Sequence, residues 1–395
     1  MSSNLETSST PSSDQLAQTK QRIDTYIKSV KANPNYRPGS EPCYRFHDAG
    51  KPIHGTAIIF HGFSGKPPQS LRLADYLFKN GFNIYQPNIA GHTLKPPAKF
   101  WPQVDLKPEI WNPLREKVKK DPVLQNYIAN LPADPSLFKR PERTQQIALI
   151  ARLLLLEPRL LDIAKAVEQD NDPDFKRYFI SSHMDYLTDA QARLAELEAM
   201  PGPISTIGLS VGGAVALGLA ADKSNRIQKC VAYAPLLKIY DPERERYINL
   251  TGPLDVYEKS WDPTESFPVG ALTATAHYGA FVRQRQNVRS LRNVKTLMVL
   301  TENEDAAHIP TNQKLFNDIG GESRGNRYYM YPASDLVPHP MLDPTTISQG
   351  MTNRFWQSLY QETFRFLTTG EIDPHNMSSI QQDPNLPQVP PLQLK

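Results

Sequence analysis

The chain has 395 residues, of which 39% are apolar and 36 are prolines, and its formal net charge at pH 7 is +3. This length is enough for one large α/β domain with insertions or for two ordinary domains. A net charge this small gives no electrostatic support for nucleic-acid binding. The two cysteines, Cys43 and Cys230, are too few for a disulfide framework, and they indicate a reducing compartment.

The first 40 residues predict an extension that is partly disordered and partly helical. Residues 1 to about 13 are rich in Ser and Thr, which is typical of disorder. A polar helix is predicted over residues 13–31. The start of the chain lacks the basic and apolar stretches of a secretory signal, and we therefore expect a cytoplasmic protein. The most apolar window, residues 147–167, is interrupted by charged residues and falls short of the ~18 apolar residues that a spanning helix needs.

A strand–helix–strand unit is predicted between residues 56 and 86. Residues 56–60 form a continuous apolar run of the kind that makes a strand buried on both faces. Residues 69–80 carry apolar side chains at helical spacing, and residues 82–86 read as a second strand. Such a unit implies a parallel sheet with crossover helices, which is an α/β fold.

Residues 204–218 predict a strand, a sharp turn and a helix, with Ser210 at the turn. The residues at 208–212 are Gly-Leu-Ser-Val-Gly, and small residues follow them. Both glycines suit the turn, because a side chain at either position would collide across it. The pattern G-x-S-x-G in this setting is typical of a nucleophile elbow, which exposes the serine hydroxyl above the sheet. The free N–H of Val211, at the start of the helix, can then stabilise an oxyanion.

Three segments together carry a family resemblance: HGFSG at 61–65, PNIAGH at 87–92 and GLSVGG at 208–213. They resemble the carboxylesterase and monoacylglycerol-lipase branch of the α/β-hydrolases. The resemblance covers residues 43–93 and 200–236 and, more loosely, the C-terminal third. It implies the α/β-hydrolase fold, in which a mostly parallel central sheet carries helices on both faces. It also implies that Phe63 supplies the second N–H of the oxyanion hole.

Two long segments without strand signal depart from the family pattern. Residues at about 93–180 and 236–294 are predicted to be helical insertions that form a cap, within a hydrolase domain spanning residues 41–370. The first insertion is either a fixed cap that buries its leucines or a mobile lid whose apolar face meets lipid. Residues 371–395 are rich in Pro and Gln, and we expect a disordered tail there.

The partners of Ser210 are expected in the order serine, acid, histidine, each in a loop after a strand. A serine hydroxyl needs a histidine to take its proton and an acid to hold the imidazole in the right tautomer. Asp305 follows a predicted strand at 296–301 and is the favoured acid, with Glu304 in the same loop as the alternative. His339 follows the last predicted strand, lies between two prolines and is the favoured base.

These residues and the resemblance imply an esterase or lipase that hydrolyses carboxylic esters, acylglycerols or other lipid-like esters, through a Ser210–Asp305–His339 triad and an acyl-enzyme. A thioesterase, an acyltransferase or a peptidase would use the same triad, and a catalytically silent binding protein is the alternative of another class. Histidines and acids nowhere repeat at metal-ligand spacing, so we expect no metal and no cofactor. We expect a small-molecule or lipid ester as the binding partner, with peripheral membrane contact through the helical insertion as a further hypothesis. Neither nucleic acid nor an obligate protein partner is expected.

Overall fold

The computed structural model of the chain describes residues 8–129, 143–168, 173–252, 257–259 and 265–380. The chain divides into two compact units, each made of segments that are distant in sequence. The first unit comprises Met1–Trp101, Met184–Asp241 and Tyr278–Lys395. The second unit comprises Pro102–His183 and Pro242–His277. The second unit thus combines parts of both predicted insertions, while residues 278–294 belong to the first unit.

The described residues contain eleven strands. They are β1 Cys43–Arg45, β2 Gly55–Phe60, β3 Phe82–Gln86, β4 Val104–Leu106, β5 Phe179–Ser181, β6 Ile204–Leu209, β7 Ile227–Tyr233, β8 Tyr257–Lys259, β9 Ser266–Pro268, β10 Lys295–Thr301 and β11 Arg327–Tyr331. Seven of them form one sheet in the order β1-β3-β2-β6-β7-β10-β11. Only β1 runs antiparallel to its neighbour in this sheet; the other pairs are parallel. The predicted mostly parallel α/β sheet is confirmed.

Sixteen α-helices lie in the described ranges. They are α1 Ser13–Ala32, α2 Leu71–Lys79, α3 Pro97–Phe100, α4 Pro108–Lys120, α5 Pro122–Ala129, α6 Arg143–Leu156, α7 Leu160–Glu168, α8 Phe175–Tyr178, α9 Asp185–Ala195, α10 Val211–Asp222, α11 Pro242–Thr251, α12 Gly270–Val282, α13 Arg285–Leu291, α14 Ile309–Asp318, α15 Trp356–Thr369 and α16 Pro374–Met377. Among these helices, none combines the length and the apolar character needed to cross a membrane.

The core of the first unit lies on the central strands, because β2 and β6 are buried over their whole length. One large apolar cluster joins these strands to α2 and α15, with Leu73, Leu77 and Leu359 among its members. The helix α10 is made of small and apolar residues and is buried along almost all of its length. Burial on both faces explains why these strands read as continuous apolar runs.

Described residues near both chain ends make defined contacts with the rest of the first unit. Ser9 pairs with Ile53 through two backbone hydrogen bonds of 3.0 and 2.8 Å, within the stretch expected to be disordered. At the other end, α16 follows within the predicted tail, and the side chain of Met377 is fully buried in the core cluster. The backbone N–H of Asp373 donates to Glu362 at 2.6 Å. Residues 1–7 and 381–395 lie outside the described residues.

The second unit has a small apolar core of its own. Val104, Ile110, Ile163, Val167 and Ala274 belong to this cluster, which therefore joins both chain segments of the unit. Two short antiparallel pairs, β4 with β5 and β8 with β9, complete the described part.

Part of the apolar window predicted at 147–167 is buried in that core, and part is exposed. Ile163 and Val167 are buried, whereas the side chains of Leu155 and Leu161 are 74% and 64% exposed. The window therefore supplies both packing residues and an apolar surface.

Candidate active site

Ser210 sits in a strained turn between β6 and α10. Its backbone has φ 58° and ψ −120°, a conformation that non-glycine residues rarely adopt. Neighbouring backbone groups fix this conformation: the N–H of Ser210 donates to Tyr233 O at 2.9 Å, and its carbonyl accepts from Leu236 N at 2.9 Å. The sequence folds this way because a buried parallel strand runs directly into a helix of small residues. The turn has the form of a nucleophile elbow.

Both glycines of the elbow are required by close backbone approaches. A Cβ at Gly208 would lie 2.0 Å from the carbonyl oxygen of Gly212. A Cβ at Gly212 would lie 2.3 Å from the carbonyl oxygen of His61, which starts the turn after β2. A Cβ at Gly62 would be 3.6 Å from Cβ of Ser210. The absence of side chains therefore brings the turn at residues 61–65 directly against the elbow.

The two expected oxyanion donors lie on these adjoining segments. Val211 is the first residue of α10, where backbone N–H groups have no partner within the helix. Phe63 lies in the turn after β2, and its ring packs edge-on against Trp101 with centroids 5.3 Å apart. The N–H of the preceding Gly62 is taken by Gln69 Oε1 at 2.7 Å. Gln69 was not singled out by sequence reasoning, since no local pattern ties its side chain to that turn.

Both ring nitrogens of His61 lie against oxygen atoms of neighbouring residues. Its Nδ1 lies 2.8 Å from the carbonyl oxygen of Gly62, and its Nε2 contacts Oδ1 of Asn88. Burial lowers the pKa of His61 to about 4, although both of these contacts raise it. The imidazole is therefore neutral at physiological pH, and only one of its two ring nitrogens carries a proton to donate.

The buried carboxylate beside His339 is that of Glu304. His339 Nδ1 lies in contact with Glu304 Oε1, and both side chains are buried. The same oxygen accepts backbone hydrogen bonds from Ala306 N at 3.1 Å and Ala307 N at 2.9 Å. These bonds fix the carboxylate in place, so that it can orient the imidazole through Nδ1.

Asp305, the favoured acid from sequence, does not make this contact. Its side chain is exposed, and Oδ2 accepts a hydrogen bond from Nε2 of Gln349 at 2.6 Å. The loop after β10 is fixed by an antiparallel bridge between Ile239 and Ala307. This pairing joins segments that are far apart in sequence. Glu304, the alternative, is the residue that the structure brings to the histidine.

The environment of His339 predicts the acid limb of the pH–rate profile. Burial lowers the pKa of His339, but the charges of Glu304 and Asp305 raise it, and the net shift is upward from 6.5. A protonated imidazole cannot accept the proton of a serine hydroxyl. We therefore expect kcat/KM to fall with decreasing pH, with a midpoint above 6.5 that a pH series of initial rates would measure. A midpoint below 6.5 would contradict this.

Among the described residues, one group of side chains could hold a metal ion, and it includes the buried pair of His339 and Glu304. Glu304, Asp305 and His339 each offer a ligand atom, and these atoms lie within 4.8 Å of one another. However, the contact between His339 Nδ1 and Glu304 Oε1 already engages two of these side chains with each other. The arrangement suits an acid–base pair, and the expectation that no metal is needed stays a prediction.

Comparison with known proteins gives similarities in structure only. No protein-family model matches the sequence, and no curated protein matches it. Among solved structures, a metagenome-derived lipolytic enzyme has 14% identity and a TM-score of 0.49, covering 84% of this chain and 98% of its own. A soluble variant of monoglyceride lipase from Saccharomyces cerevisiae has 12% identity, coverages of 87% and 98%, and a TM-score of 0.46. The monoacylglycerol lipase of Paleococcus ferrophilus has 10% identity, coverages of 84% and 98%, and a TM-score of 0.44.

The fold is established by the topology of the chain itself. The middle strand of the seven, β6, ends in the elbow, with parallel strands on either side of it. The loop after β10 provides Glu304, and the loop after β11 provides His339. A strand–turn–helix elbow after the middle strand, followed along the chain by loops after two later parallel strands, is the arrangement of the α/β-hydrolase fold.

Proposed function

We propose that the protein is a serine esterase or lipase that hydrolyses carboxylic ester bonds of lipid-like substrates. The observation that carries the proposal is the buried contact between His339 Nδ1 and Glu304, in a fold whose elbow presents Ser210. A histidine with one nitrogen held by a buried carboxylate keeps its other nitrogen, Nε2, for a serine hydroxyl. We accordingly propose Ser210, Glu304 and His339 as the catalytic triad.

The proposed reaction needs no group beyond the side chains and backbone of the chain. Ser210 Oγ attacks the ester carbonyl while His339 Nε2 takes its proton. The N–H groups of Phe63 and Val211 stabilise the oxyanion that forms. His339 then protonates the departing alcohol, which leaves an acyl group on Ser210. A water molecule that gives its proton to His339 attacks this acyl-enzyme. The bond between the acyl carbon and Ser210 Oγ then breaks, the carboxylic acid leaves, and His339 returns the proton to Ser210 Oγ.

The lipid-like character of the substrate is supported by the second unit. The side chains of Leu155 and Leu161 are largely exposed at neighbouring ends of α6 and α7. Exposed apolar side chains of this kind on helices suit contact with lipid. Cys43 and Cys230 are both unpaired, which supports the cytoplasm as the proposed compartment.

Two assays on the intact chain test the proposed function. We expect a fluorophosphonate probe to label the protein, and p-nitrophenyl esters to be hydrolysed faster with medium or long acyl chains than with acetate. His339→Ala should lose both the labelling and the turnover, because the serine then lacks its base. Faster turnover of thioesters or peptides would replace the ester assignment. The absence of labelling and of turnover on every substrate would favour the catalytically silent alternative.

A further inference from the structure

The guanidinium of Arg37 is buried against the turn that carries Phe63. Arg37 lies between α1 and β1, in the extension that precedes the sheet, and its side chain is only 1% exposed. Its Nη2 donates to the carbonyl oxygen of Ser64 at 2.9 Å, and its Nη1 donates to that of Gly65 at 3.0 Å. One planar group thus holds two successive peptide carbonyls at the end of the turn, a geometry that a lysine could not reproduce.

The same extension also supports the start of the turn. The hydroxyl of Ser40 donates to the carbonyl oxygen of Arg37 at 2.6 Å. The carbonyl oxygen of Ser40 accepts from Nδ2 of Asn88 at 2.7 Å, and Oδ1 of Asn88 contacts His61. Residues 37–40 therefore connect to both ends of the turn at residues 61–65, through Arg37 at one end and through Asn88 at the other.

These contacts determine where the N–H of Phe63 points. The carbonyl of Gly62 and the N–H of Phe63 belong to one planar, trans peptide group, so they point in opposite directions. The carbonyl oxygen of Gly62 accepts from the N–H of Gly65 at 3.0 Å. Gly65 is in turn held through its own carbonyl by Arg37. The carbonyl oxygen of Gly62 also lies 2.8 Å from Nδ1 of His61. Loss of Arg37 would free Gly65 and leave this carbonyl with the His61 contact alone, so the peptide that carries the Phe63 N–H would be held less firmly.

We propose that Arg37 is a positioning residue for ester hydrolysis, which holds the turn so that the N–H of Phe63 faces the oxyanion. The inference rests on the proposed function. A buried charge at this turn also favours the anionic transition state electrostatically. Because both effects act in the transition state, removal of Arg37 should lower kcat and leave KM nearly unchanged.

The test compares Arg37→Gln with Arg226→Gln. Arg226 has the same bonding pattern, since it donates to the carbonyls of Gly202 at 2.8 Å and Met200 at 2.7 Å. Those carbonyls precede β6, at the end of the strand away from Ser210.

We expect Arg37→Gln to lower kcat by about 100-fold, the loss that follows a displacement of about 1 Å in a catalytic group. The second-order rate of fluorophosphonate labelling should fall with it. Arg226→Gln should keep both rates, although urea unfolding should show a loss of stability for this variant as well.

Arg37→Lys keeps the charge and most of the buried stem, so it tests the inference even if Arg37→Gln fails to fold. A lysine donates from a single point and cannot hold both carbonyls, so we expect a smaller drop in kcat with an unchanged KM. Wild-type kcat and labelling rate in Arg37→Lys, or in folded Arg37→Gln, would overturn the inference. If the wild-type protein itself were neither labelled nor active, the proposed function would fail instead.

Discussion

Replacement of Ser210 with alanine is expected to lower kcat for ester hydrolysis by about 10⁴-fold or more, the size of loss seen when a triad nucleophile is removed. The reason is that no other described hydroxyl sits at the end of the middle strand with the helix start of α10 beside it. Labelling by a fluorophosphonate should disappear in the same variant, because the probe bonds to the activated serine. Initial rates on p-nitrophenyl esters and gel detection of the label measure the two effects.

A matched control for this variant is Ser358→Ala. Ser358 is a fully buried serine on α15, and its hydroxyl contacts the carbonyl oxygen of Ser379. Its removal should cost stability of the order of one hydrogen bond, about 1 kcal/mol, while kcat stays at the wild-type value. Persistent labelling of Ser210→Ala would show that another residue is the nucleophile, and the proposed triad would be wrong.

Glu304→Gln is expected to lower kcat by about 10²- to 10⁴-fold, because the neutral amide cannot stabilise the imidazolium that forms when His339 takes the serine proton. Two backbone N–H groups already bond to Glu304 Oε1, and they would hold the amide oxygen at the same place. The protein should therefore remain folded. KM should change little, since the carboxylate acts on the histidine and not on bound substrate.

Asp305→Asn is the paired variant, and it should keep nearly all of the wild-type kcat. Asp305 is exposed and accepts a hydrogen bond from Gln349, so the substitution changes mainly this surface hydrogen bond. Both carboxylates raise the pKa of His339, so each variant should shift the acid limb of the pH–rate profile towards lower pH. A large loss of kcat in Asp305→Asn, together with near-normal activity in Glu304→Gln, would assign the acid role to Asp305.

The features predicted well from sequence are those that neighbouring residues determine. The elbow at Ser210 needs a buried strand, two glycines and a helix of small residues, all within a short stretch. Glu304 is buried and Asp305 is exposed in a loop that Ala307 bridges to the distant Ile239, and no local pattern shows such a pairing. Side chains in a loop follow no fixed alternation between buried and exposed positions, so Glu304 and Asp305 could not be told apart from sequence.

The role inferred for Arg37 escaped prediction for a similar reason. The residue lies in a polar extension, where an arginine is usually solvated, and its burial depends on the carbonyls of a turn 27 to 28 residues later. The ordered segment around Met377 was missed because the Pro- and Gln-rich residues that follow it dominate the composition. In both cases one side chain is buried, although the average polarity of the surrounding segment indicates exposure to solvent.

The order in which the chain is synthesised gives its two-unit arrangement a kinetic consequence. A ribosome completes the elbow strand and α10 before it makes Ala274, which the apolar cluster around Val104 requires. The first unit must in turn await β10, β11 and His339 before its own sheet is complete. In the nascent protein, apolar residues of both units therefore remain exposed until their packing partners are synthesised. Such non-local pairing slows folding and favours aggregation. We expect its yield on expression to depend on chaperone supply and on the rate of translation.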